Sequence, residues 1–388
     1  MRILALLCAA FIFLPHPQLT AQSEIPRWRL VRDATAGGGE GPGALTEVGE
    51  VTVGRDGRVY VSQRQDGVVR VYDARGRYLR EIGRSGEGPG EFEWQSGMGW
   101  RGDTLWVADG AQARISLFRP DGRFVRSLTF VRAGPLTGGR PNVPGDLLAD
   151  GSVLGSWRAY LSVLAAGPVS EPLVRFTPRG EPIGVLARVE RRNEFVQLRS
   201  GNSRTYFAQP FADSPMWAVA PDGSALVVVT RDAATSGGQA RFTVRKVHFS
   251  GRTAFARAYR YVPKPLPSAA VERVVDEHVG GLSNARFRTP PEGAARRSIR
   301  RALYLPKHLT PVTGLVLGRD GTIWLRREED GRPTVGWIVL DPAGNVVARL
   351  SLPAKLDVRY ADRTQLWGVE LDEMDVPTLA RFRVAPVR

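Results

Sequence analysis

The three histidines beyond residue 21 are the first residues to consider for chemistry, because imidazoles are common metal ligands and proton carriers. His248, His278 and His308 are widely separated, and none lies within ligand spacing of another. His278 also falls on the apolar stripe of a predicted helix, which is typical of a core histidine. The chain has one cysteine, Cys8, and no calcium loop of the D-x-D-x-D-G type. The sequence therefore predicts no metal site built on histidine or cysteine.

Two acidic segments are the remaining candidates for binding a cation. The first comprises Glu328, Glu329 and Asp330, and the second comprises Glu370, Asp372, Glu373 and Asp375. Carboxylate oxygens suit hard cations, so the sequence requires no cofactor but leaves room for a divalent cation such as calcium. The alternative is an acidic surface that nearby arginines neutralise.

Four arginines share one face of a helix predicted after Thr289-Pro290-Pro291. Proline at the start and apolar residues at helical spacing indicate this helix, and its polar face carries Arg296, Arg297, Arg300 and Arg301. We expect these arginines, together with Glu329, Asp330 and Asp372, to contact a ligand. The alternative is a solvated basic face.

Motifs for covalent catalysis and phosphate binding are absent. No serine lies in a nucleophile elbow, since Gly155-Ser156-Trp157 lacks the second glycine at the required place. Gly39–Gly43 and Gly86–Gly90 share a Gly-Glu-Gly-Pro-Gly pattern, but no Lys-Ser/Thr and no helix follows them. The sequence thus favours a binding or interaction module over an enzyme. The alternative is a hydrolase or lyase that acts on a small or carbohydrate-like substrate, with or without a divalent cation.

The formal charge of +15 raises the question of nucleic acid. The only lysines are Lys246, Lys264, Lys307 and Lys355, so the basic residues are nearly all arginine, scattered singly through the chain. No basic stripe interleaved with aromatic residues is visible. We therefore expect no nucleic-acid partner, and we expect a monomer whose partner is a protein, an anionic small molecule or a saccharide.

A stretch from residue 84 to 130 forms one complete four-stranded unit with no helix. Thr104–Ala108 alternates in polarity as a strand does, and Arg119-Pro120-Asp121-Gly122 is a turn with proline and glycine at the positions that favour one. The unit before it matches piece by piece, and Gly39 and Gly86 mark a repeat of about 47 residues, the length of a propeller blade.

These units resemble the six-bladed β-propellers of the NHL-like and TolB-like kind, especially secreted bacterial ones. In those proteins a G-x-G-P-G-E-F connection leads into each blade and V-A-D follows the second strand, as Gly86–Phe92 and Val107–Asp109 do here. The resemblance implies an all-β fold of six four-stranded blades and a hydrogen-bonding role within the blade for Asp109. Such propellers serve as scaffolds, ligand binders and occasional lyases or lactonases.

The remaining chain completes the ring and distinguishes its two faces. Trp28–Arg32 is predicted as the outer strand of the last blade, which would close the propeller. Tight turns all fall on one face, whereas the long connections, including a helical insertion at about 266–304 before blade five, fall on the other. We expect the ligand site on that elaborated face, because loops on a rigid scaffold commonly carry function.

The first 21 residues have the composition of a signal peptide. Arg2 precedes the apolar run Ile3–Leu14, and Ala21 ends a plausible cleavage site. We expect residues 22–388 to form the propeller domain in the periplasm or outside the cell, with no membrane span after the signal is removed.

Overall fold

Residues 26–130, 142–157, 168–200, 203–232, 240–284, 291–328 and 331–386 are described by a computed structural model. They form six four-stranded antiparallel sheets, which are the blades of a β-propeller, as predicted. Blade one comprises β2 Val48–Val53, β3 Val59–Gln63, β4 Val68–Tyr72 and β5 Tyr78–Ile82. Blade two comprises β6 Gln95–Arg101, β7 Thr104–Asp109, β8 Arg114–Phe118 and β9 Phe124–Thr129. Blade three comprises β10 Asn142–Leu147, β11 Val153–Trp157, β12 Val169–Phe176 and β13 Pro182–Arg191.

The last three blades follow the same order around a central channel. Blade four comprises β16 Met216–Val219, β17 Ala225–Thr230, β18 Arg241–His248 and β19 Thr253–Arg260. Blade five comprises β20 Val312–Leu317, β21 Ile323–Arg327, β22 Thr334–Leu340 and β23 Val346–Pro353. Blade six comprises β24 Asp357–Ala361, β25 Gln365–Leu371 and β26 Pro377–Pro386, with β1 Trp28–Ala36 as its outer strand. The first strand of each blade lies innermost. Apolar side chains from facing sheets fill the space between blades.

The N-terminal strand closes the ring, as predicted. β1 pairs antiparallel with β26 from Trp28 opposite Pro386 to Ala36 opposite Leu379. The last sheet therefore has the order β1-β26-β25-β24, and its outer strand comes from the opposite end of the chain. This pairing satisfies the edge of β26 and joins the two ends without a covalent bond.

The plain face carries the tight turns, and these turns need glycine. The Cβ of any other residue at Gly76 would lie 2.1 Å from the carbonyl oxygen of Thr35, and one at Gly180 would lie 2.0 Å from that of Thr129. Both glycines also have positive φ, 82° in each case. The turns of one blade thus pack against the outer strand of the preceding blade.

Asp109 has the role within the blade that the family resemblance implies. Its carboxylate accepts hydrogen bonds from the backbone N–H groups of Glu93 (2.8 Å), Ala111 (3.0 Å) and Gln112 (3.1 Å). Asp109 is fully buried, and these bonds compensate the burial of its charge. It fixes the loop between β7 and β8 against the connection that enters the blade.

A small cap stands on the elaborated face. It comprises the hairpin β14 Phe195–Ser200 and β15 Ser203–Ala208 with the helices α1 Ser268–Asn284 and α2 Glu292–Ala302. The helices fall within the predicted insertion, whereas sequence patterns did not reveal the hairpin. The apolar stripes of both helices pack on the hairpin, through Val271, Val275, Ile299 and Leu303 against Val196 and Leu198. His278 belongs to this core, since its ring lies against Phe207 and its Nδ1 lies 2.7 Å from the carbonyl oxygen of Val274.

Within the described part of the chain, neither α1 nor α2 is long and apolar enough to cross a membrane.

Candidate functional site

The arginines of α2 lie beside the acidic residues of α1. Arg296 bonds Glu272 (3.1 Å) and also Asp276, and Arg300 pairs with Glu272. Arg297 and Arg301 are exposed. Exposed pairs of this kind contribute about 0.2–1 kcal/mol each. Two of the four predicted site residues therefore help to join the helices of the cap.

The acidic candidates are placed differently. Glu329 and Asp330 lie outside the described residues. Asp372 lies in the exposed turn between β25 and β26, where its carboxylate accepts hydrogen bonds from the backbone N–H groups of Met374 (2.8 Å) and Val376 (2.9 Å). These bonds shape the turn and use part of its capacity for a ligand.

A cavity of about 580 Å³ occupies the central channel, within the size range of small-molecule sites. The first strands of the blades form its walls, and five of these six described strands carry a β-bulge. The irregularities fall at Gly49-Glu50, Ser96, Gly145, Thr313 and Arg359. A bulge adds one residue to a strand and reorients the side chains beside it, so the channel wall carries polar groups that a regular strand would place between blades.

Two carboxyl groups line one side of the channel. Glu50 lies in the bulge of β2, and Asp146 follows the bulge of β10. Burial, chiefly, and the charge of Glu50 raise the pKa of Asp146 to about 7, while Arg101 opposes the shift. Asp146 is therefore partly protonated at neutral pH, which an isolated aspartate is not.

Trp106, from the second strand of blade two, also lines the cavity, and its indole lies across the first strand of that blade. A Cβ at Gly99 would lie 2.8 Å from Cζ2 of this ring, and one at Gly97 would lie 3.3 Å from Cζ3. Gly99 thus leaves room for the indole, whereas the nearest neighbour of a Cβ at Gly97 would be the carbonyl oxygen of Gly145 at 2.3 Å. Trp106 is 4% exposed, and its N–H has no hydrogen-bond partner among the described residues.

The opposite side of the channel also carries charged residues. Arg326 of β21, Lys355 and Arg359 line it, and Arg359 pairs with Asp357 at 2.6 Å. Arg326 donates a hydrogen bond to the carbonyl oxygen of Ala354 (2.7 Å). Charged groups of both signs thus line the channel, namely Glu50, Asp146 and Arg101 beside blades one to three, and Arg326, Lys355, Asp357 and Arg359 beside blades five and six.

Two arginines cross the plain-face end of the channel. Arg101 donates hydrogen bonds to the carbonyl oxygens of Leu147 and, at 2.5 Å, Pro221, which belong to blades three and four. Arg319 of blade five donates to the carbonyl oxygen of Val53 in blade one (2.6 Å). These bridges place two guanidinium groups across the plain-face end of the channel.

A second cavity of about 520 Å³ lies between the cap and the disc. Arg231, Arg273 and Glu277 line it, and it shares Thr313 and Arg326 with the channel. Arg231 is held by the carbonyl oxygens of Ser214 (2.5 Å) and Val312 (2.9 Å), and burial lowers its pKa. The cap therefore stands beside the mouth of the channel and borders the path to it.

Sequence reasoning missed the channel residues, because strand register decides which side chains line the channel. The Gly-Met-Gly run at Gly97–Gly99 was the available signal, since two glycines alternating in a strand often mark a close approach. In the described residues, no three His, Cys, Asp or Glu side chains come together as a metal-binding group.

Comparisons with known proteins show similarity of fold alone. A member of the DUF4221 family from Bacteroides vulgatus superposes with a TM-score of 0.48 at 10% identity, over 94% of this chain and 100% of that one. Virginiamycin B lyase from Staphylococcus aureus gives 0.41 at 12% identity, over 92% and 99%. A PQQ-bound aldose sugar dehydrogenase from Streptomyces coelicolor gives 0.42 at 12% identity, over 93% and 99%. No family model matches the chain, and no curated protein matches it.

Proposed function

We propose that this chain is an exported, monomeric binding protein that takes a small polar ligand into the central channel from the elaborated face. The supporting observation is the channel itself, where bulged first strands present charged groups of both signs around a cavity of about 580 Å³. Small-molecule sites have this character, with a few placed polar groups in a largely preformed concavity. The arginine bridges at the plain-face end support entry from the side of the cap.

This proposal can be tested by filling the channel with a large side chain. Ala218 of β16 lines the cavity, and Ala218→Trp would occupy it. Ala256→Trp, on the exposed outer strand β19, makes the same change outside the channel. The unmodified protein and both variants are screened by thermal unfolding against amino acids, short peptides, dicarboxylates and neutral sugars. A ligand at 100 times its Kd stabilises a protein by about 2.7 kcal/mol.

We expect at least one class of compound to raise the Tm of the unmodified protein and of Ala256→Trp but not that of Ala218→Trp. The proposal fails if no compound stabilises the protein, or if stabilisation survives filling of the channel.

A second candidate function is catalysis in the same channel, by a hydrolase or lyase acting on a small or carbohydrate-like substrate. The observation in its favour is Asp146, because a carboxyl group with a pKa of about 7 can act as acid and base near neutral pH. The sequence-based expectation of a divalent cation such as calcium belongs to this candidate. Asp146→Asn would then abolish turnover of a bound compound while leaving its binding measurable, and product analysis by mass spectrometry would detect the loss.

A further inference from the structure

A further cavity lies between blades four and five, and it is separate from the channel. It has a volume of about 500 Å³ and shares no described lining residue with the channel or with the cavity under the cap. Tyr259 and Tyr261 line it from blade four, and Ile338 and Val346 line it from blade five. None of its described lining residues is acidic. We name this cavity the rim cleft.

The tyrosine wall of the rim cleft is held in place from behind. The ring of Tyr259 stacks on Phe242 with centroids 5.2 Å apart, and its hydroxyl donates to the carbonyl oxygen of Gly344 (2.6 Å). The guanidinium of Arg327 lies 5.9 Å from the ring of Tyr261 and is paired with Glu328 at 2.9 Å. Because Glu328 neutralises Arg327, the charge of the cleft comes from its outer residues.

Two exposed arginines supply that charge. Arg260 ends β19 of blade four, and Arg349 lies in β23 of blade five, and both line the cleft. Among the described residues, neither arginine forms an ion pair. Guanidinium groups bind carboxylate, sulfate or phosphate through paired N–H bonds. The cleft therefore offers two cations, one from each blade, to an anionic group.

A third arginine continues the charge along the rim. The backbone N–H of Arg349 donates to the carbonyl oxygen of Pro26 (3.1 Å), and Arg27 forms a parallel bridge with Arg349. Residues paired between neighbouring strands project to the same face of a sheet. Arg27 is exposed and has no ion pair in the described part of the chain. Arg260, Arg349 and Arg27, the rim arginines, thus run from blade four to the start of blade six.

A row of exposed cations suits a chain with repeated negative charges better than a single ion. One exposed pair contributes little by itself, but contacts made by successive units of one chain reinforce each other. The tyrosines and Val262, which is 80% exposed, add apolar area that the body of a sugar ring can cover. Both tyrosine rings pack against Phe242, so they form a wall and not the projecting platforms on which successive nucleic-acid bases stack.

We propose that the rim cleft binds an acidic saccharide, a chain whose sugar units carry carboxylate or sulfate groups. One unit enters the cleft with its anionic group between Arg260 and Arg349, and the next anionic group along the chain meets Arg27. This site goes beyond the proposed function, because it uses a different surface and a different class of ligand. A chain exported as its N-terminal composition predicts would meet such saccharides outside the cytoplasm.

The test measures binding of polygalacturonate, dextran sulfate and uncharged dextran to the unmodified protein by calorimetric titration. We expect at least one of the two acidic polymers to bind and dextran not to bind. Arg260→Gln combined with Arg349→Gln should weaken binding by about tenfold or more, the equivalent of one charge-assisted hydrogen bond. Arg297→Gln combined with Arg301→Gln removes the same charge from the exposed face of α2, and should change affinity by less than about twofold.

A second pair of variants tests the shape of the cleft without changing its charge. Ala258 is exposed and lines the cleft, so Ala258→Trp should also weaken the acidic polymer by about tenfold. Ala256→Trp, on the same strand but outside the cleft, should bind as the parent does. Ala218→Trp, which fills the channel, should also leave this binding unchanged, so the rim cleft and the channel site can fail independently.

The inference is overturned if neither acidic polymer binds, or if Ala258→Trp binds as tightly as the parent. It is also overturned if the Arg297 and Arg301 pair costs as much affinity as the Arg260 and Arg349 pair, because binding would then follow net charge alone. If single-stranded oligothymidylate binds more tightly than both polymers and loses its affinity in the Arg260 and Arg349 variant, the partner is a nucleic acid and the saccharide is wrong.

Discussion

Asp146 is a single residue that lowers the free energy of unfolding in a pH-dependent way. Its pKa is raised from the ordinary value of 3.8 to about 7 in the folded protein, so between pH 4 and pH 7 the folded state holds more protons than the unfolded state. The free energy of unfolding therefore falls as pH rises through this window. Asp146→Asn removes the penalty, and we expect the variant to gain stability relative to the unmodified protein by at least about 1.4 kcal/mol at pH 8, the equivalent of one pKa unit.

Urea unfolding at pH 4.5, 6 and 8 measures this effect. The gain should be smallest at pH 4.5 and largest at pH 8, while Asp103→Asn should show no such trend. A difference between Asp146→Asn and the unmodified protein that stays constant with pH would contradict the assignment of the raised pKa.

Gly99 is a second residue at which a single substitution should change the stability of the protein. A Cβ there would lie 2.8 Å from the indole of Trp106, which is buried and closely packed. We expect Gly99→Ala to destabilise the protein by about 1–3 kcal/mol, as overpacking does, and to shift the tryptophan emission. Gly184→Ala is the matched control, since a Cβ at that strand position meets nothing within 4 Å. Equal unfolding midpoints for the two variants would show that Trp106 does not lie over Gly99.

At the scale of elements, β1 closes the ring. Deleting residues 22–36 removes the pairing from Trp28 to Ala36 and exposes the edge of β26. The deletion also removes Trp28, whose ring packs at a tilt against that of Trp324 in the neighbouring blade, with ring centroids 5.8 Å apart. We expect a sharp fall in soluble yield and a broad, early thermal transition. A truncated protein with the solubility and Tm of the parent would contradict this role.

The cap depends on its two helices staying together. Reversing Arg296 and Arg300 to Glu places like charges beside Glu272 and Asp276. We expect limited proteolysis to cut the cap faster, with little change in the Tm of the disc, because each exposed pair contributes only about 0.2–1 kcal/mol. The exposed pair Arg297 and Arg301 serves as the control, since its reversal should leave the cleavage rate near that of the parent. Unfolding of the whole protein at a much lower temperature would show that the cap and the disc are a single cooperative unit.

At the scale of the whole molecule, export is the remaining expectation from the sequence. Arg2, the apolar run at 3–14 and Ala21 predict a mature chain that begins at or near Gln22. Expression in a bacterium followed by intact-mass measurement of the periplasmic or culture fraction checks this. Recovery of soluble cytoplasmic protein with Met1 intact would be the contrary result.

The sequence by itself determined the architecture. Turn residues such as Gly76 and Gly180, strand periodicity of two and the repeat between Gly39 and Gly86 are local signals, and local signals survive in a single sequence. Ring closure by β1 could also be predicted from the sequence, because a fourth strand with no blade of its own near the N-terminus matched a blade with only three strands near the C-terminus. The apolar faces of α1 and α2 could be assigned from helical spacing alone.

Tertiary structure decided the candidate site. Glu50 and Asp146 come from blades one and three, and Arg326 comes from blade five, so no sequence spacing links them. Glu50 and Asp146 line the channel because each lies at a β-bulge, and a shift of one residue moves a side chain to the other face. The raised pKa of Asp146 has the same origin, since burial in the channel and the nearby charge of Glu50 exist only after six blades have closed around it.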